Sequence, residues 1–343
     1  MNILVTGNLG YIGSVIVPIL KSQGHVVIGY DSGYFDNCLL EPSQLPDKQI
    51  RGDIRQIEKT DISNCDAVIH LAGLSNDPLG ELNASLTDDI NLGGTLRIAE
   101  IAKKIGVERF VFASSQSIYG VADTAIEIDE DDSIKAPVTA YARTKWQAEC
   151  ELKKICDDQF TTVAYRPSTV FGSSPRLRCD IVYNNFLACA FTTNKIEIKS
   201  DGTPWRPVIH IVDVCKAFIS GLTAPKQLIA GRAFNVGIQD GNFTVRDIAN
   251  AAHRLLPESE ITYTNEHGPD SRTYKVSFER ILTELKEHFT PQYHLTNGGR
   301  ELLEQFARVH FTKDDFLGVK TNRLKKIQDL QKTNYLDEEL FWT

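Results

Sequence analysis

A glycine-rich turn near the beginning of the chain constrains the fold more strongly than any other feature. Gly7, Gly10 and Gly13 follow an apolar run over residues 2–6, which predicts a buried strand, and precede an amphipathic stretch over residues 14–23, which predicts a helix. Glycines at a strand–turn–helix junction permit a tight turn and let the backbone approach a pyrophosphate at the helix N-terminus. The turn therefore predicts a dinucleotide site, and an ordinary turn that binds nothing is the alternative.

An acidic residue supports the dinucleotide prediction. Asp31 ends a second predicted strand over residues 26–31, where a carboxylate accepts hydrogen bonds from an adenosine ribose. A 2′-phosphate beside Asp31 would meet like charge, and residues 32–37 contain no arginine or lysine to neutralise it. We therefore expect NAD rather than NADP.

The first half of the chain alternates short apolar runs with amphipathic stretches, which is typical of βαβ units around a parallel sheet. Further strands are predicted over residues 67–72, 110–114 and 162–166. Further helices are predicted over residues 91–105, with Gly106 as the C-cap, and over residues 140–156. The pattern predicts an α/β fold, a Rossmann-type doubly wound parallel sheet.

Beyond residue 172 polar residues and prolines separate shorter apolar pieces, which predicts a smaller C-terminal substrate domain interleaved with the first. We expect an NAD-binding domain over residues 1–172, with returning sheet-associated segments at about 208–236. The substrate domain is then predicted over residues 173–207 and 237–343. For the tail from residue 312 onward, a surface arm and an interface both remain open.

Charge and cysteine content narrow the class of protein. With 37 Lys+Arg and 45 Asp+Glu the net charge is −8, which gives no general attraction to nucleic acid or an anionic membrane. No apolar run approaches the roughly 18 residues of a membrane span, and no signal peptide precedes the first strand. The 7 cysteines are scattered without paired or metal-type spacing. We expect a cytoplasmic protein with reduced thiols, no metal site, and no nucleic-acid or membrane partner.

Tyr141 and Lys145 form a candidate catalytic pair. They are four residues apart in a predicted helix, so their side chains share one face. An ammonium group beside a phenol favours the phenolate and lowers the pKa of the phenol, which makes the tyrosine a candidate general base near neutral pH. Ser115 follows a predicted strand and is a candidate to share the proton of a substrate hydroxyl with Tyr141.

Taken together, these motifs resemble the extended short-chain dehydrogenases/reductases, and more narrowly their nucleotide-sugar epimerase/dehydratase branch. The similarity covers about residues 1–310. The motifs that carry it are Gly7-x-x-Gly10-x-x-Gly13, Asp31, Asp53-Ile54, His70-Leu71-Ala72-Gly73, Ser114-Ser115, Tyr141-x-x-x-Lys145, Arg166–Gly172, Trp205–Val214 and Phe234–Gly237.

The resemblance implies NAD as the cofactor and assigns residues along its length. By this resemblance Asp31 holds the adenosine ribose, and Asp53 and Ile54 flank the adenine. Residues 71–73 pass beneath the pyrophosphate, with Asn91 nearby. The complete implied cofactor set is Gly7, Gly10, Tyr11, Ile12, Gly13, Asp31, Asp53, Ile54, Leu71, Ala72, Gly73, Asn91, Ser114, Tyr141, Lys145 and Ser168.

The resemblance also implies a nucleotide-diphosphate sugar as substrate. Arg206 and Arg272 are the candidates for the diphosphate, because a planar guanidinium can make two parallel bonds to phosphate oxygens; surface ion pairs are the alternative. Further candidate substrate residues are Ser117, Thr169, Arg176, Arg178 and either Asn184 or Asn185. Many relatives have Asn where this chain has Thr169, so that contact differs from the family pattern.

A homodimer is a further implication of the resemblance. In the resembled family, two helices of each subunit commonly form a four-helix bundle, and the matching segments here are residues 91–105 and 140–156. The apolar residues that would supply the contacts are Ala142, Trp146, Ala148 and Leu152. The alternative is that these residues pack only on the sheet.

One departure from the family decides between reaction types. The 4,6-dehydratases resembled here use an Asp-Glu pair directly after the position of Ser115, whereas this chain has Gln116-Ser117. Neither side chain can do carboxylate chemistry, which argues against loss of water and equally against decarboxylation.

Three hypotheses remain. The first is a nucleotide-sugar epimerase with tightly held NAD that acts through a transient keto-sugar, usually at C4. The second is a nucleotide-sugar 4-dehydrogenase or ketoreductase that exchanges its cofactor. The third is a non-catalytic NAD-binding regulator, a class that typically loses the tyrosine or lysine that this chain keeps.

Overall fold

A parallel sheet forms the centre of the protein. In the computed structural model, which describes residues 1–264 and 273–343, the strands are β1 (Asn2–Thr6), β2 (Val26–Asp31), β3 (Lys48–Arg51), β4 (Ala67–His70), β5 (Arg109–Ala113), β6 (Glu127–Ile128), β7 (Thr161–Pro167), β8 (Thr169–Phe171), β9 (Lys195–Ile198), β10 (Trp205–His210), β11 (Arg232–Val236), β12 (Asn242–Thr244), β13 (Glu260–Tyr263) and β14 (Lys275–Val276). Among these residues, seven parallel strands form the central sheet in the order β11-β7-β5-β4-β1-β2-β3.

Helices cover both faces of this sheet. The helices of the described residues are α1 (Gly13–Ser22), α2 (Lys59–Ile62), α3 (Asp77–Gly80), α4 (Ala84–Thr87), α5 (Gly94–Ile105), α6 (Ala140–Ile155), α7 (Val182–Thr193), α8 (Ile211–Thr223), α9 (Lys226–Ile229), α10 (Val245–Leu255), α11 (Glu279–Glu284), α12 (Leu295–Arg308), α13 (Lys313–Leu317) and α14 (Arg323–Lys332). Of these, α7, α10 and α12 pack on one another. The predicted Rossmann-type doubly wound sheet is confirmed.

The apolar runs of the first half become the buried strands that the sequence predicts. Ile3, Leu4 and Val5 of β1 are fully buried, because helices cover a parallel sheet on both faces. Strands β1 and β2 have the predicted bounds, while β4 ends at His70, two residues before the predicted end. The residues that follow His70 leave the sheet and become part of the site described below.

Two predicted helices differ slightly at their ends. Helix α5 begins at Gly94 instead of residue 91, because a π-helical turn over Asp88–Gly93 precedes it. It ends at Gly106, whose φ of +86° makes it the left-handed C-cap that the sequence predicts. Helix α6 begins after Thr139, whose side-chain oxygen accepts a hydrogen bond from the Ala142 amide at 3.2 Å.

The second half contributes to the central sheet and also forms smaller sheets. Strand β11 extends the central sheet beside β7, whereas β8, β10 and β12 form a sheet of their own within the described residues. The apolar run over residues 208–222, which begins the predicted returning segments, is therefore a strand end followed by a helix. It contains the end of β10 and then α8, which packs against β5 and β7 of the central sheet. The boundaries of two separate domains stay a prediction.

The tail beyond residue 312 folds back onto the first half of the chain. Ile327 of α14 and Leu340 are fully buried, in one apolar cluster with Leu4 of β1 and Val68 of β4. The tail is therefore a packed part of the monomer and not a detached arm.

The apolar residues named for a dimer contact on α6 are already used within the monomer. Ala142, Ala148 and Leu152 are buried, and Trp146 packs against the apolar core. The homodimer stays a prediction, which the packing of a single chain does not test.

A search of the described residues for a helix long and apolar enough to span a bilayer finds none.

We expect Gly106→Ala to destabilise the protein by about 1 kcal/mol, because an L-residue is strained in the left-handed region. A Cβ at Gly106 would meet no atom within 4 Å, so the loss would be conformational and not steric. Denaturant unfolding measures it. Gly93→Ala is the matched control, since Gly93 has a helical φ of −56° and alanine there should be neutral or stabilising. Equal stability of Gly106→Ala and the parent would contradict the prediction.

Candidate active site

The carboxyl ends of the central strands open onto one cavity of about 1080 Å³. Ligands of doubly wound folds bind at this edge of the sheet. Most of the residues proposed from the sequence line this cavity: Gly7, Gly10, Tyr11, Ile12, Gly13, Asp31, Asp53, Ile54, Leu71, Ala72, Gly73, Ser114, Ser115, Ser117, Tyr141, Lys145, Ser168, Thr169, Arg178 and Arg206. The fold therefore brings together residues from positions as distant as Gly7 and Arg206.

The glycine turn brings its backbone close to the cavity at positions where a side chain would not fit. Gly7 has a φ of +73°, and a Cβ added to it would lie 2.7 Å from the Ala72 backbone nitrogen. A Cβ at Gly13 would lie 2.2 Å from the Gly7 carbonyl oxygen. Helix α1 follows without a side-chain N-cap, so its N-terminus is open to an anion. This arrangement fits the pyrophosphate of a dinucleotide.

Two backbone amides, one from the glycine turn and one from the loop after β2, hold the Asp31 carboxylate. Its Oδ2 accepts a hydrogen bond from the Leu9 amide at 3.0 Å, and its Oδ1 accepts one from the Gly33 amide at 2.8 Å. Burial raises the pKa of the Asp31 carboxyl, and these two hydrogen bonds oppose the rise. Because a carboxylate offers about four acceptor positions, Asp31 can still accept bonds from a ribose.

Asp53 is oriented by two residues that the sequence analysis did not name. Arg55 donates to Asp53 through two nitrogens, at 2.9 and 2.7 Å, and the Tyr34 hydroxyl lies 3.4 Å from the same carboxylate. Tyr34 also lines the cavity beside Asp53 and Ile54. A motif search on Asp53-Ile54 cannot reveal Tyr34, because it comes from a different loop.

Tyr141 and Lys145 lie on the cavity face of α6, as their spacing predicts. Burial raises the pKa of Tyr141 to about 12, while a hydrogen bond with Ser115 and the Arg178 guanidinium oppose the rise. The expectation that Lys145 lowers the tyrosine pKa below its ordinary value is therefore not met in this structure. Instead, burial lowers the pKa of Lys145 to about 8, and its Nζ donates to the Ala113 carbonyl at 2.7 Å.

A buried ion pair supports α6, the helix that carries Tyr141 and Lys145. Arg166 of β7 donates to Glu149 of α6 at 2.6 Å, and both side chains are almost fully buried. The Ser114 hydroxyl also donates to Glu149, and Arg166 donates to the Tyr119 hydroxyl at 2.9 Å. Glu149 lies four residues after Lys145, so the helical spacing was the available signal for it.

Gln116 and Ser117 stand where the dehydratases have their acid pair, and their side chains have different environments. Ser117 lines the cavity, and its hydroxyl donates to Ser115 Oγ at 2.9 Å. Gln116 is buried and donates through Nε2 to the Ser168 hydroxyl and the Arg166 carbonyl, each at 3.1 Å. Gln116 therefore positions Ser168 and does not face a substrate.

On the substrate side, the Asp77 carboxylate raises the pKa of Tyr141 and the charge of Arg178 lowers it. The Arg178 guanidinium pairs with Asp180 at 2.9 Å, donates to the Ser75 hydroxyl at 3.1 Å, and opposes the rise of the Tyr141 pKa. Asn185, the alternative to Asn184, also lines the cavity.

Three proposed contacts are directed into the fold and do not line the cavity. Asn91 accepts from the Leu74 amide at 2.7 Å and donates to its carbonyl at 3.1 Å, which fixes the loop beside the cavity. Arg176 donates to the carbonyls of Phe35 and Asp36.

The third is Asn184, which donates to the Tyr11 hydroxyl at 3.1 Å and accepts from the Gly172 amide at 3.0 Å. Arg272 lies outside the described residues.

We expect Lys145→Met to stabilise the cofactor-free protein near pH 7 by about 2 kcal/mol. Lowering a lysine pKa from 10.5 to about 8 corresponds to about 3 kcal/mol of destabilisation, and the lost hydrogen bond to Ala113 offsets about 1 kcal/mol of the gain. Denaturant unfolding at several pH values measures the difference.

The pH dependence of this difference provides the control. Below pH 8 the folded protein holds a charged, buried ammonium, and the destabilisation is fully present. The destabilisation disappears as the pH rises from about 8 to 10.5. The folded lysine is neutral above pH 8, and once the unfolded lysine is neutral too, burial no longer carries the cost of a charge. A difference that stays constant across that range would contradict the prediction.

Comparison with known proteins identifies the family. The sequence model described as "NAD dependent epimerase/dehydratase family" matches residues 3–237. UDP-glucose 4-epimerase of Dictyostelium discoideum is 30% identical over 294 residues, which cover 74% of this chain and 82% of that protein. dTDP-D-glucose 4,6-dehydratase of Mus musculus is 26% identical over 302 residues, which cover 81% of this chain and 82% of that protein.

A solved structure agrees with these sequence relatives. MoeE5 in complex with UDP-glucuronic acid and NAD is 26% identical, with a TM-score of 0.76 and coverage of 90% of this chain and 99% of that chain. Because the family model spans more than half of the sequence, the chain belongs to the NAD-dependent epimerase/dehydratase family of extended short-chain dehydrogenases/reductases, and it is an enzyme that uses NAD.

Proposed function

We propose that this enzyme is a nucleotide-sugar 4-epimerase that acts through a transient 4-keto-sugar. The observation that carries the proposal is the arrangement of Tyr141, Lys145 and Ser115 on one wall of the cavity, with Gln116 and Ser117 where dehydration would need carboxyl groups. Such a site can oxidise and re-reduce a hydroxyl but has no acid–base pair at that position to remove water.

The chain's own residues supply proton transfer and orientation. Tyr141 is the base for the sugar hydroxyl, and Ser115, which hydrogen-bonds to it, shares that proton. Lys145 is mostly protonated near pH 7 because its pKa is about 8, so it and Arg178 place positive charge where a phenolate would form. When bound, NAD supplies the two-electron acceptor for the oxidation and the donor for its reversal.

The substrate side is equipped for a diphosphate. Arg178 and Arg206 both line the cavity, and guanidinium groups are suited to phosphate oxygens. Thr169 and Ser117 also line the cavity and offer short hydroxyl groups to a substrate. The relatives support the same substrate class, since the Dictyostelium protein is a UDP-glucose 4-epimerase and MoeE5 was solved with UDP-glucuronic acid.

At the ribose end of the cavity, the structure adds a cation that the residues directly after Asp31 do not provide. Arg51 lies opposite Asp31 in the pairing of β3 with β2, so a cation is present close to the ribose position. It is engaged with Asp36 at 2.7 Å. A 2′-phosphate would therefore face the Asp31 carboxylate and an arginine that is already paired.

Tyr141→Phe should abolish turnover of a panel of nucleotide sugars and leave folding and NAD binding nearly unchanged, because only the phenolic proton acceptor is lost. Ser115→Ala should cost less, on the order of 10²–10⁴-fold in rate. Mass spectrometry and NMR of the product identify the reaction.

For an epimerase, the product has the mass of the substrate and differs in configuration at C4. A stoichiometric loss of two hydrogens with reduction of added NAD would instead indicate a 4-dehydrogenase. A product lighter by one water would contradict the proposal and its structural basis. Gly93→Ala is a control variant that should retain the parent's activity, since Gly93 does not line the cavity.

We expect Asp31→Ser to weaken NAD binding and to narrow the preference for NAD over NADP. The repulsion removed is about 4 kcal/mol for two charges about 4 Å apart at an effective dielectric near 20. The double variant Asp31→Ser/Asp36→Asn should favour NADP further, because Arg51 then becomes available to a 2′-phosphate. Calorimetric titration with both cofactors measures this, and Asp36→Asn alone is the control. Tighter binding of NADP than of NAD to the unchanged protein would contradict it.

A further inference from the structure

The C-terminal segment over residues 312–343, here called the C-terminal strap, runs along the adenosine end of the cavity. It contains α13 and α14 and then turns back on itself, where Leu336 and Trp342 form an antiparallel bridge. Leu330 and Leu340 are buried in the same apolar cluster as Tyr34 and Ile54. The strap thus packs on the residues that line the position expected for the adenine.

The end of the strap is bonded to the loop that follows Asp31. The Trp342 indole nitrogen donates to the Ser32 carbonyl at 2.7 Å, and the Tyr34 hydroxyl donates to the Leu340 carbonyl at 2.5 Å. The Tyr34 and Trp342 rings lie 5.9 Å apart. Because Asp31 is held by the amide of Gly33 in this loop, the strap supports the ribose-binding carboxylate from behind.

A second set of contacts joins the strap to Asp53. Arg55, which pairs with Asp53 at 2.7 Å, also donates to the Glu339 carbonyl at 2.9 Å. Its guanidinium lies 3.8 Å from the centre of the Phe341 ring, a distance at which a cation is attracted to the ring face. Arg55 therefore connects the carboxylate beside the adenine position to the end of the chain.

The beginning of α14 reaches the main cavity directly. Asn322, Arg323 and Leu324 line it. The Arg323 side chain is almost fully buried, donates to the Arg176 carbonyl at 2.6 Å, and lies 4.7 Å from the centre of the Phe35 ring. Arg323 therefore attaches the beginning of α14 to the loops that carry Arg176 and Phe35.

Between these two attachments lies a second cavity, of about 740 Å³. One wall is formed by the residues Ser32, Tyr34, Gly52 and Asp53, which also line the main cavity. The opposite wall is formed by the strap residues Lys326, Leu330, Leu340, Phe341 and Trp342. Part of the adenosine end therefore lies between the main cavity and the strap.

We propose that the C-terminal strap is part of the NAD site and retains the cofactor between turnovers. Phe341 and Trp342 act through Arg55 and Ser32, whose positions they hold, and weakening these contacts should speed the release of the adenosine end. Retention of this kind suits an enzyme that reduces and reoxidises the same NAD in each cycle. The inference needs NAD binding but does not depend on which sugar reacts, so it goes beyond the proposed function.

The test measures NAD release from the full-length protein. The protein is loaded with NAD and passed rapidly through gel filtration, and the NAD that remains bound is followed over time by chromatography. We expect Phe341→Ala/Trp342→Ala to lose NAD at least tenfold faster than the parent. Tyr335→Ala is the matched control, since it removes an exposed aromatic side chain of the same strap, and its rate should stay within twofold. A double variant with the parent's release rate would overturn the proposal.

Two further measurements keep the result interpretable if the double variant folds poorly. Trp342→Phe keeps an aromatic ring but removes the hydrogen bond to Ser32, and it should still accelerate release. In the unchanged protein, NAD should increase hydrogen-exchange protection of residues 333–343, because coupling between ligand and strap is reciprocal. Protection that NAD leaves unchanged would also overturn the proposal. Neither measurement uses a sugar, so a failure of the proposed epimerase activity would be seen separately.

Discussion

The carboxylate of Glu149 in α6 and the guanidinium of Arg166 in β7 are buried together, 2.6 Å apart. The cavity wall that carries Tyr141 depends on this ion pair. Removing one partner of such a pair leaves a buried charge and typically costs about 3–5 kcal/mol. Because Glu149 also accepts from Ser114, the pair joins the helix that carries Tyr141 to the loop after β5. This connection fixes the position of Tyr141 relative to the loop after β5.

The chemistry of the site follows from burial of the groups that it uses. Burial raises the pKa of Tyr141 to about 12 and lowers that of Lys145 to about 8, so both neutral forms are favoured relative to free side chains. The tyrosine therefore needs nearby positive charge to act as a base. Arg178, oriented by Asp180, supplies charge from the substrate side, and a site of this type becomes effective only when substrate and cofactor occupy it.

Local sequence pattern determined the fold class and the parts of the cavity formed by the glycine turn, Asp31 and the Tyr141–Lys145 pair. The glycine spacing, the apolar runs of β1 and β2, the cap at Gly106 and the shared face of Tyr141 and Lys145 are each encoded in a few neighbouring residues, which is why the sequence predicts them. The family resemblance, which rests on motifs spread along the chain, extended the prediction to Ser168 and Arg206. Both lie on the cavity.

The direction of individual polar side chains was decided by tertiary structure. Asn91 and Arg176 have the right chemistry for a ligand, but both hydrogen-bond to backbone groups distant in sequence, and Arg176 bonds to Phe35 across an interval of 141 residues. The place of the tail was decided in the same way. Trp342 meets Ser32 across 310 residues, a contact that no periodicity encodes, because it depends on how the whole sheet and its helices pack.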